Sequence, residues 1–376
     1  MTCVHLQQLY KLCQEHELKL SSSDLIRLVC NQCGYQEVCP SALVDACDAE
    51  QALGVDHCTS TKLSKSNAAV SALDFVIGGL MTRYRRRVPD VDRVIRCMIV
   101  EGIITAADDI ENDHIAFRTM GVPQLGIRSL EKIFLHFGYE RRDHLTFPEK
   151  KLNAYWYAPP SPKYPRVFIS ELRVNDLGDE AQRIVHSYAD EVRIDPVDAL
   201  DLNDGAAVDA FLHKPLWRTP TWSDYGQLIE ESEYAAWVIY NRYYLNHFTI
   251  SVHQLPPGYD TIGEFNSFLK RNGIRLNDAG GEIKVSADGL LLQSSTVAEI
   301  VEAEFRVEPG QTTTQWIAGS YVEFAERRAL SEFRHLPRHE LRREHRRDGF
   351  EVANADKIFE STYRAQVQPA RTVRGE

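Results

Sequence analysis

Asp113-His114-Ile115-Ala116-Phe117-Arg118 and Asn246-His247-Phe248-Thr249-Ile250-Ser251 read as two copies of one stretch. Each carries a histidine at the opening of a predicted strand. Each is followed by a turn, an amphipathic helix and a glycine that ends it. The first helix runs through Leu130, Ile133, Phe134 and Phe137 and stops near Gly138. The second contains Phe265, Phe268 and Leu269 and stops near Gly273. A unit repeated once predicts a duplicated module. Two matched histidines would then sit at related positions in a shared concave site, the pattern of a metal enzyme.

Outward from these stretches, the first module spans about 112–175. Its later strand candidates are Asn153–Tyr157 and Arg166–Val174, separated by a turn holding Pro159, Pro160, Pro162 and Pro165. The second module spans about 245–328, with strands at Glu282–Ser286, Leu290–Ser294 and Ser320–Glu326, and Asp288-Gly289 as a hairpin turn. Strand, helix and three strands make a βαβββ unit. Residues 176–244 predict a helical insert, with helices at Ala181–Val192 and Tyr225–Tyr244. A helical pair precedes the first module. Leu73, Val76, Ile77, Leu80 and Tyr84 keep helical spacing, and Val91, Val94, Ile95, Met98 and Ile99 repeat it after Pro89.

The expected division is therefore a helical, cysteine-rich extension over 1–70, a core over 71–330 and a helical tail over 331–376 packed on that core. The extension includes a polar linker at Thr59–Asn67. The tail is expected to hold an Arg-rich helix from Pro337 to Arg347 capped by Gly349. The fold class is α+β.

The chain has 376 residues, 43% apolar and 26% charged, which suffices for a large core without disulfides. Its net charge of -11 argues against nucleic acid as a partner, because phosphate binding needs a basic surface. No apolar run reaches the roughly 18 residues of a membrane span, so no membrane partner is expected. Residues 1–20 lack a signal core and arginine, so the cytoplasm is the expected location, with an organelle open if a presequence has been removed. Seven of the eight cysteines precede residue 60. Cys30-Asn31-Gln32-Cys33 has zinc-knuckle spacing, with Cys39 and Cys47 as candidates to complete it; reduced thiols are the plainer reading.

A mononuclear non-haem Fe(II) site needs two imidazoles and one carboxylate on one face of the metal, leaving positions for a chelating substrate and dioxygen. His114 and His247 supply the nitrogens. In Tyr321-Val322-Glu323-Phe324-Ala325-Glu326-Arg327, strand alternation separates Glu323 from its apolar neighbours and puts Glu326 on the opposite face. Glu323 is the favoured carboxylate. Glu171, in Phe168-Ile169-Ser170-Glu171-Leu172, is its rival, and His253 is a substitute ligand on the same strand face as His247. Arg118 returns to the face of His114 about 13 Å further along the strand, where its guanidinium could fork onto a substrate carboxylate. Gln293, Ser294 and Ser295 end an apolar strand, and Gln293 and Ser295 are candidate substrate contacts. Against all of this stands the plain alternative of hydrogen-bonded structural residues.

These stretches, with Leu290–Thr296, Ser320-Tyr321-Val322-Glu323-Phe324 and the tail Gly349–Glu360, resemble the DUF1338 family, closest to its plant and algal branch. The resemblance covers about residues 75–363. It implies a vicinal-oxygen-chelate half-barrel and a 2-oxoadipate dioxygenase/decarboxylase. Such an enzyme uses Fe(II) to convert 2-oxoadipate and O2 into 2-hydroxyglutarate, expected as the D form, and CO2 in lysine breakdown. On this resemblance His114, His247 and Glu323 are the metal ligands, Arg118 binds a substrate carboxylate, and Arg327 follows Glu323 by four residues. The partners are then a small 2-oxo acid and O2. The scaffold also admits extradiol cleavage, metal-dependent isomerisation or a non-enzymatic role. Neither oligomeric state nor oxo-acid preference is legible.

Overall fold

A computed structural model describes residues 60–308 and 310–367. The cysteine-rich stretch with its zinc-knuckle spacing lies outside the described residues. Among the described residues, those from Lys65 to Val367 belong to one compact unit.

Two helices open the described chain, α1 (Ser60–Arg87) and α2 (Pro89–Val100). Residues 60–67, expected as a linker, are thus helical. α1 buries Leu73, Val76, Leu80 and Tyr84, and α2 buries Val91, Val94, Ile95 and Met98. The stripe expected from 3.6-residue periodicity is the stripe that packs.

The first module follows: β1 (Asn112–Met120), α3 (Ile127–His136), β2 (Glu140–Phe147), β3 (Leu152–Ala158) and β4 (Arg166–Leu172). The insert supplies α4 (Asp179–Ala189), α5 (Gly205–His213), α6 (Trp222–Glu231) and α7 (Glu233–Asn241). The single helix expected over 225–244 is two. Ser232 leaves helical geometry and its hydroxyl accepts from Ala235 N at 3.1 Å, ending α6 and capping α7. The second module is β5 (His247–Ser251), α8 (Ile262–Arg271), β6 (Lys284–Val285), β7 (Leu291–Ser295) and, after an inserted hairpin, β10 (Tyr321–Arg327).

The eight strands form one sheet in the order β2-β3-β4-β1-β5-β10-β7-β6. Each half repeats the same topology, with β1 parallel to β4 and β5 parallel to β10. The halves meet where β1 runs antiparallel to β5. The α+β expectation of paired βαβββ modules holds.

Register makes the duplication exact at residue level. His114 pairs with Arg166 as His247 pairs with Tyr321. Counting along each pair, Glu323 corresponds to Phe168, and Glu326 corresponds to Glu171. The corresponding glutamates do the same work. Glu171 Oε2 accepts from Ile127 N at 2.9 Å, and Glu326 Oε2 accepts from Ile262 N at 2.8 Å. Each carboxylate binds an otherwise orphaned donor at the positive end of its module's helix. Gly126 is required beside the first, since a Cβ there would lie 2.6 Å from Glu171 Oε2. Glu326→Ala is expected to cost about 1–2 kcal/mol, with the unfolding midpoint in urea as the measurement.

Two elements depart from the sequence reading. A hairpin, β8 (Ile300–Glu308) and β9 (Gln311–Ala318), stands as its own two-stranded sheet between β7 and β10. Its alternation was present: Ala303, Phe305 and Ile317 are buried while Glu304 is exposed. It was masked by the expectation of only three late strands. The Arg-rich helix expected after Pro337 is instead a pair of 3₁₀ turns, Arg338–Glu340 and Arg343–His345. Tertiary bonds override its helical propensity. Arg343 Nη1 donates to Tyr164 O at 2.9 Å, Arg346 Nη1 to Arg327 O at 2.8 Å, and Arg347 N to Arg328 O at 3.0 Å. The segment then crosses to α9 (Val352–Phe359) and the short α10 (Arg364–Val367).

Candidate metal centre

His114 on β1, His247 on β5 and Glu323 on β10 come together at the centre of the sheet, each 5% exposed or less. One ligand atom from each lies within 4.8 Å of the others. The Nε2 atoms of the two histidines are 3.3 Å apart. His247 Nε2 is 3.1 Å from Glu323 Oε2, and His114 Nε2 is 3.5 Å from Glu323 Oε1. First-row metals bind nitrogen and oxygen at roughly 2.0–2.2 Å, which at right angles puts neighbouring donors about 3 Å apart. The spacing fits a metal.

The other ring nitrogens are held by the residue before each histidine. His114 Nδ1 meets Asp113 Oδ1 at 2.8 Å, and His247 Nδ1 meets Asn246 Oδ1 at 3.1 Å. With Nδ1–H donating in each ring, both Nε2 lone pairs face one another. That contact is repulsive unless a proton or a cation lies between them. Outer partners of this kind set tautomer and orientation in metal-binding histidines.

Asp113 is itself anchored. Arg327 forks onto it, Nε to Oδ2 at 2.6 Å and Nη2 to Oδ1 at 2.9 Å, and Arg166 Nη1 approaches Oδ2 at 3.3 Å. Burial alone would raise the Asp113 pKa, but Arg327 and then Arg166 hold it well below the usual carboxylate range. Burial pulls His114 down, yet Glu323 and Asp113 leave it above the ordinary histidine value. Burial, then His114 and Arg118, push His247 well below it. The two rings are electrostatically unequal.

A small cavity of about 20 Å³ adjoins the cluster, lined by His114, His247, Gln293, Tyr321 and Glu323 together with Phe168, Phe350, Ala355, Ile358 and Phe359. Four of these, from Phe350 onward, come from the tail. Gln293 lines it and binds the carboxylate, Nε2 donating to Glu323 Oε1 at 2.6 Å, while its own Oε1 accepts from Asn354 Nδ2 at 3.0 Å. Ser295 does not line it. Its hydroxyl lies 2.8 Å from that of Ser361, so it ties β7 to the tail. Arg118, 1% exposed, donates to Thr362 Oγ1 at 2.9 Å and Phe359 O at 3.1 Å. Its guanidinium carbon lies 5.1–5.4 Å from the ring centres of Tyr234, Trp237 and Phe359.

Two alternatives are not brought to the centre. Glu171 caps α3. His253 sits in the turn Val252–Gln254, where Nδ1 accepts from Arg327 N at 3.2 Å and burial, reinforced by Arg346, pushes its pKa down to about 3. The sequence reading missed Phe168, Tyr321 and the tail residues as cavity walls, since only folding brings them there. It also missed the holding role of Asp113 and Asn246, although a polar residue before each histidine was a visible signal.

A family model described as 2-oxoadipate dioxygenase/decarboxylase matches residues 76–339. The chloroplastic 2-oxoadipate dioxygenase/decarboxylase of Arabidopsis thaliana is 41% identical over 81% of this chain and 81% of its own length. The chloroplastic/amyloplastic protein of that name from Oryza sativa subsp. japonica is 46% identical over 69% of this chain and 71% of its own. Among solved structures, hydroxyglutarate synthase from Oryza sativa in complex with 2-oxoadipate is similar with TM-score 0.69 and 40% identity, covering 83% of this chain and 99% of that one. By the match over residues 76–339 and this identity, the chain belongs to the 2-oxoadipate dioxygenase/decarboxylase family, a family of enzymes.

Proposed function

We propose that this chain is an Fe(II)-dependent enzyme that converts 2-oxoadipate and O2 into 2-hydroxyglutarate, as the D isomer, and CO2. Carbon, hydrogen and oxygen balance with no second oxo acid. The observation that carries the reading is the buried pair of facing Nε2 atoms closed by one carboxylate, two imidazoles and one carboxylate being the donor set suited to Fe(II). His114, His247 and Glu323 would hold the ion, which supplies the redox and O2 chemistry.

The chain's own residues do the rest. Asp113 and Asn246 aim the imidazoles. Gln293 holds Glu323 in one rotamer. Phe168, Phe350, Ile358 and Phe359 exclude water, which strengthens every charge interaction inside. Arg118 supplies a desolvated guanidinium for a substrate carboxylate. No carboxylate of the described residues lies within salt-bridge reach of it, and its Nε is buried without a partner. Such a group calls for an anion from outside the chain.

The test is oxygen uptake by protein loaded anaerobically with Fe(II), started by adding 2-oxoadipate, with products identified by mass spectrometry. One O2 consumed per CO2 and 2-hydroxyglutarate formed is expected. No uptake by protein with confirmed bound iron rejects the reading in favour of a redox-inert isomerase. Arg118→Ala is expected to keep the metal and raise KM for 2-oxoadipate by about 10- to 100-fold, the value of a charged hydrogen-bonded contact. The names of both plant relatives favour a plastid, in place of the cytoplasmic expectation, and a place in lysine breakdown fits a 2-oxoadipate substrate.

A further inference from the structure

A second orphaned polar atom lies beside the first. Tyr321 is fully buried, its ring centre is 4.9 Å from that of His247, and its hydroxyl has no hydrogen-bond partner among the described residues. It stands two residues before Glu323 on β10, so strand alternation turns it to the same interior face, and it lines the cavity. The Arg118 guanidinium lies beside that hydroxyl without meeting hydrogen-bond geometry with it. Burying a hydroxyl without a partner is unfavourable, and so is burying a cation without an anion. Both defects are removed by one ligand, a carboxylate accepting from Arg118 Nε and from the Tyr321 hydroxyl together.

We propose that Tyr321 is a specificity-determining residue: with Arg118 it clamps the substrate carboxylate remote from the metal, and so selects dicarboxylic over monocarboxylic 2-oxo acids. This rests on the reading of 2-oxoadipate as substrate. The end bearing the 2-oxo acid is common to mono- and dicarboxylic compounds. Only the far carboxylate distinguishes them, and a site built to hydrogen-bond a group rejects the analogue lacking it.

The experiment is anaerobic titration of metal-loaded wild-type and Tyr321→Phe protein with 2-oxoadipate and with 2-oxohexanoate, its monocarboxylic analogue. The phenylalanine keeps the ring and removes only the hydroxyl. Affinity for 2-oxoadipate is expected to fall about 10- to 100-fold, the scale of a hydrogen bond to a charged group, while affinity for 2-oxohexanoate changes less than about 2-fold. Metal content is expected to be unchanged, and the ligand-free variant to unfold no more easily than wild type, because the lost hydroxyl had no partner. Equal losses for both acids, or no loss for either, overturn the assignment of Tyr321 while leaving the substrate reading intact. Failure of wild type to bind 2-oxoadipate overturns both.

Discussion

Glu323→Ala protein is expected to lose stoichiometric metal, and its turnover to fall to background. Among the described residues Glu323 is the carboxylate within reach of both facing Nε2 atoms, and it is 1% exposed. Its removal leaves two neutral nitrogens to hold a divalent cation in an apolar cavity, where an unbalanced charge is strongly disfavoured. Changes to groups behind the ligands typically cost 10- to 100-fold in metal affinity, so loss of a ligand itself should exceed about 100-fold. His114→Ala and His247→Ala are expected to behave alike. Metal content by elemental analysis, beside circular dichroism to establish folding, is the measurement. A folded Glu323→Ala protein that retains iron and activity would refute the assignment of this carboxylate.

Asp113→Asn is the substitution with the largest expected effect on stability. Asp113 neutralises Arg327, which is 1% exposed, and shares in neutralising Arg166, which is 2% exposed. Asparagine is nearly isosteric, but it removes the charge and one of the two acceptors in the fork. A buried guanidinium stripped of its partner typically costs 3–5 kcal/mol. Arg327 also donates to Gly349 O at 2.7 Å, so the tail over the cavity loosens with it. Metal affinity is expected to drop about 10- to 100-fold as well, because His114 loses the carboxylate behind Nδ1. Urea unfolding of the metal-free protein separates the stability effect from the metal effect. Unchanged stability would mean that Arg166 and Arg327 find other acceptors. The converse change, Asn246→Asp, tests the asymmetry between the rings.

The duplication was legible in the sequence because a strand's period of two and a helix's period of 3.6 are local properties. His114 and His247 could be matched from their surroundings alone, and Glu323 stood out from its neighbours by alternation. Registers were not legible, since pairing is a non-local choice. The sequence reading set Glu171 against Glu323 as rivals for one place. Pairing instead matches Glu171 with Glu326, both helix caps, and Glu323 with Phe168. One duplicated frame thus carries a candidate ligand on one side and an aromatic wall on the other.

The tail gives the clearest division between the two levels. From its own residues, 337–347 has helical propensity and an arginine-rich face. Folded, its arginines reach carbonyls on β10 and on the turn before β4, and those bonds replace the helix. The chain is thereby led across the sheet, where Phe350, Ile358 and Phe359 close the cavity. Local pattern alone determined the paired modules and their matched histidines and favoured Glu323 over Glu171, because each depends on a residue and its near neighbours. Tertiary structure decided which carboxylate caps a helix, what orients each imidazole and what seals the site. Those depend on side chains up to 244 positions apart, as between Arg118 and Thr362, and only packing brings them into contact.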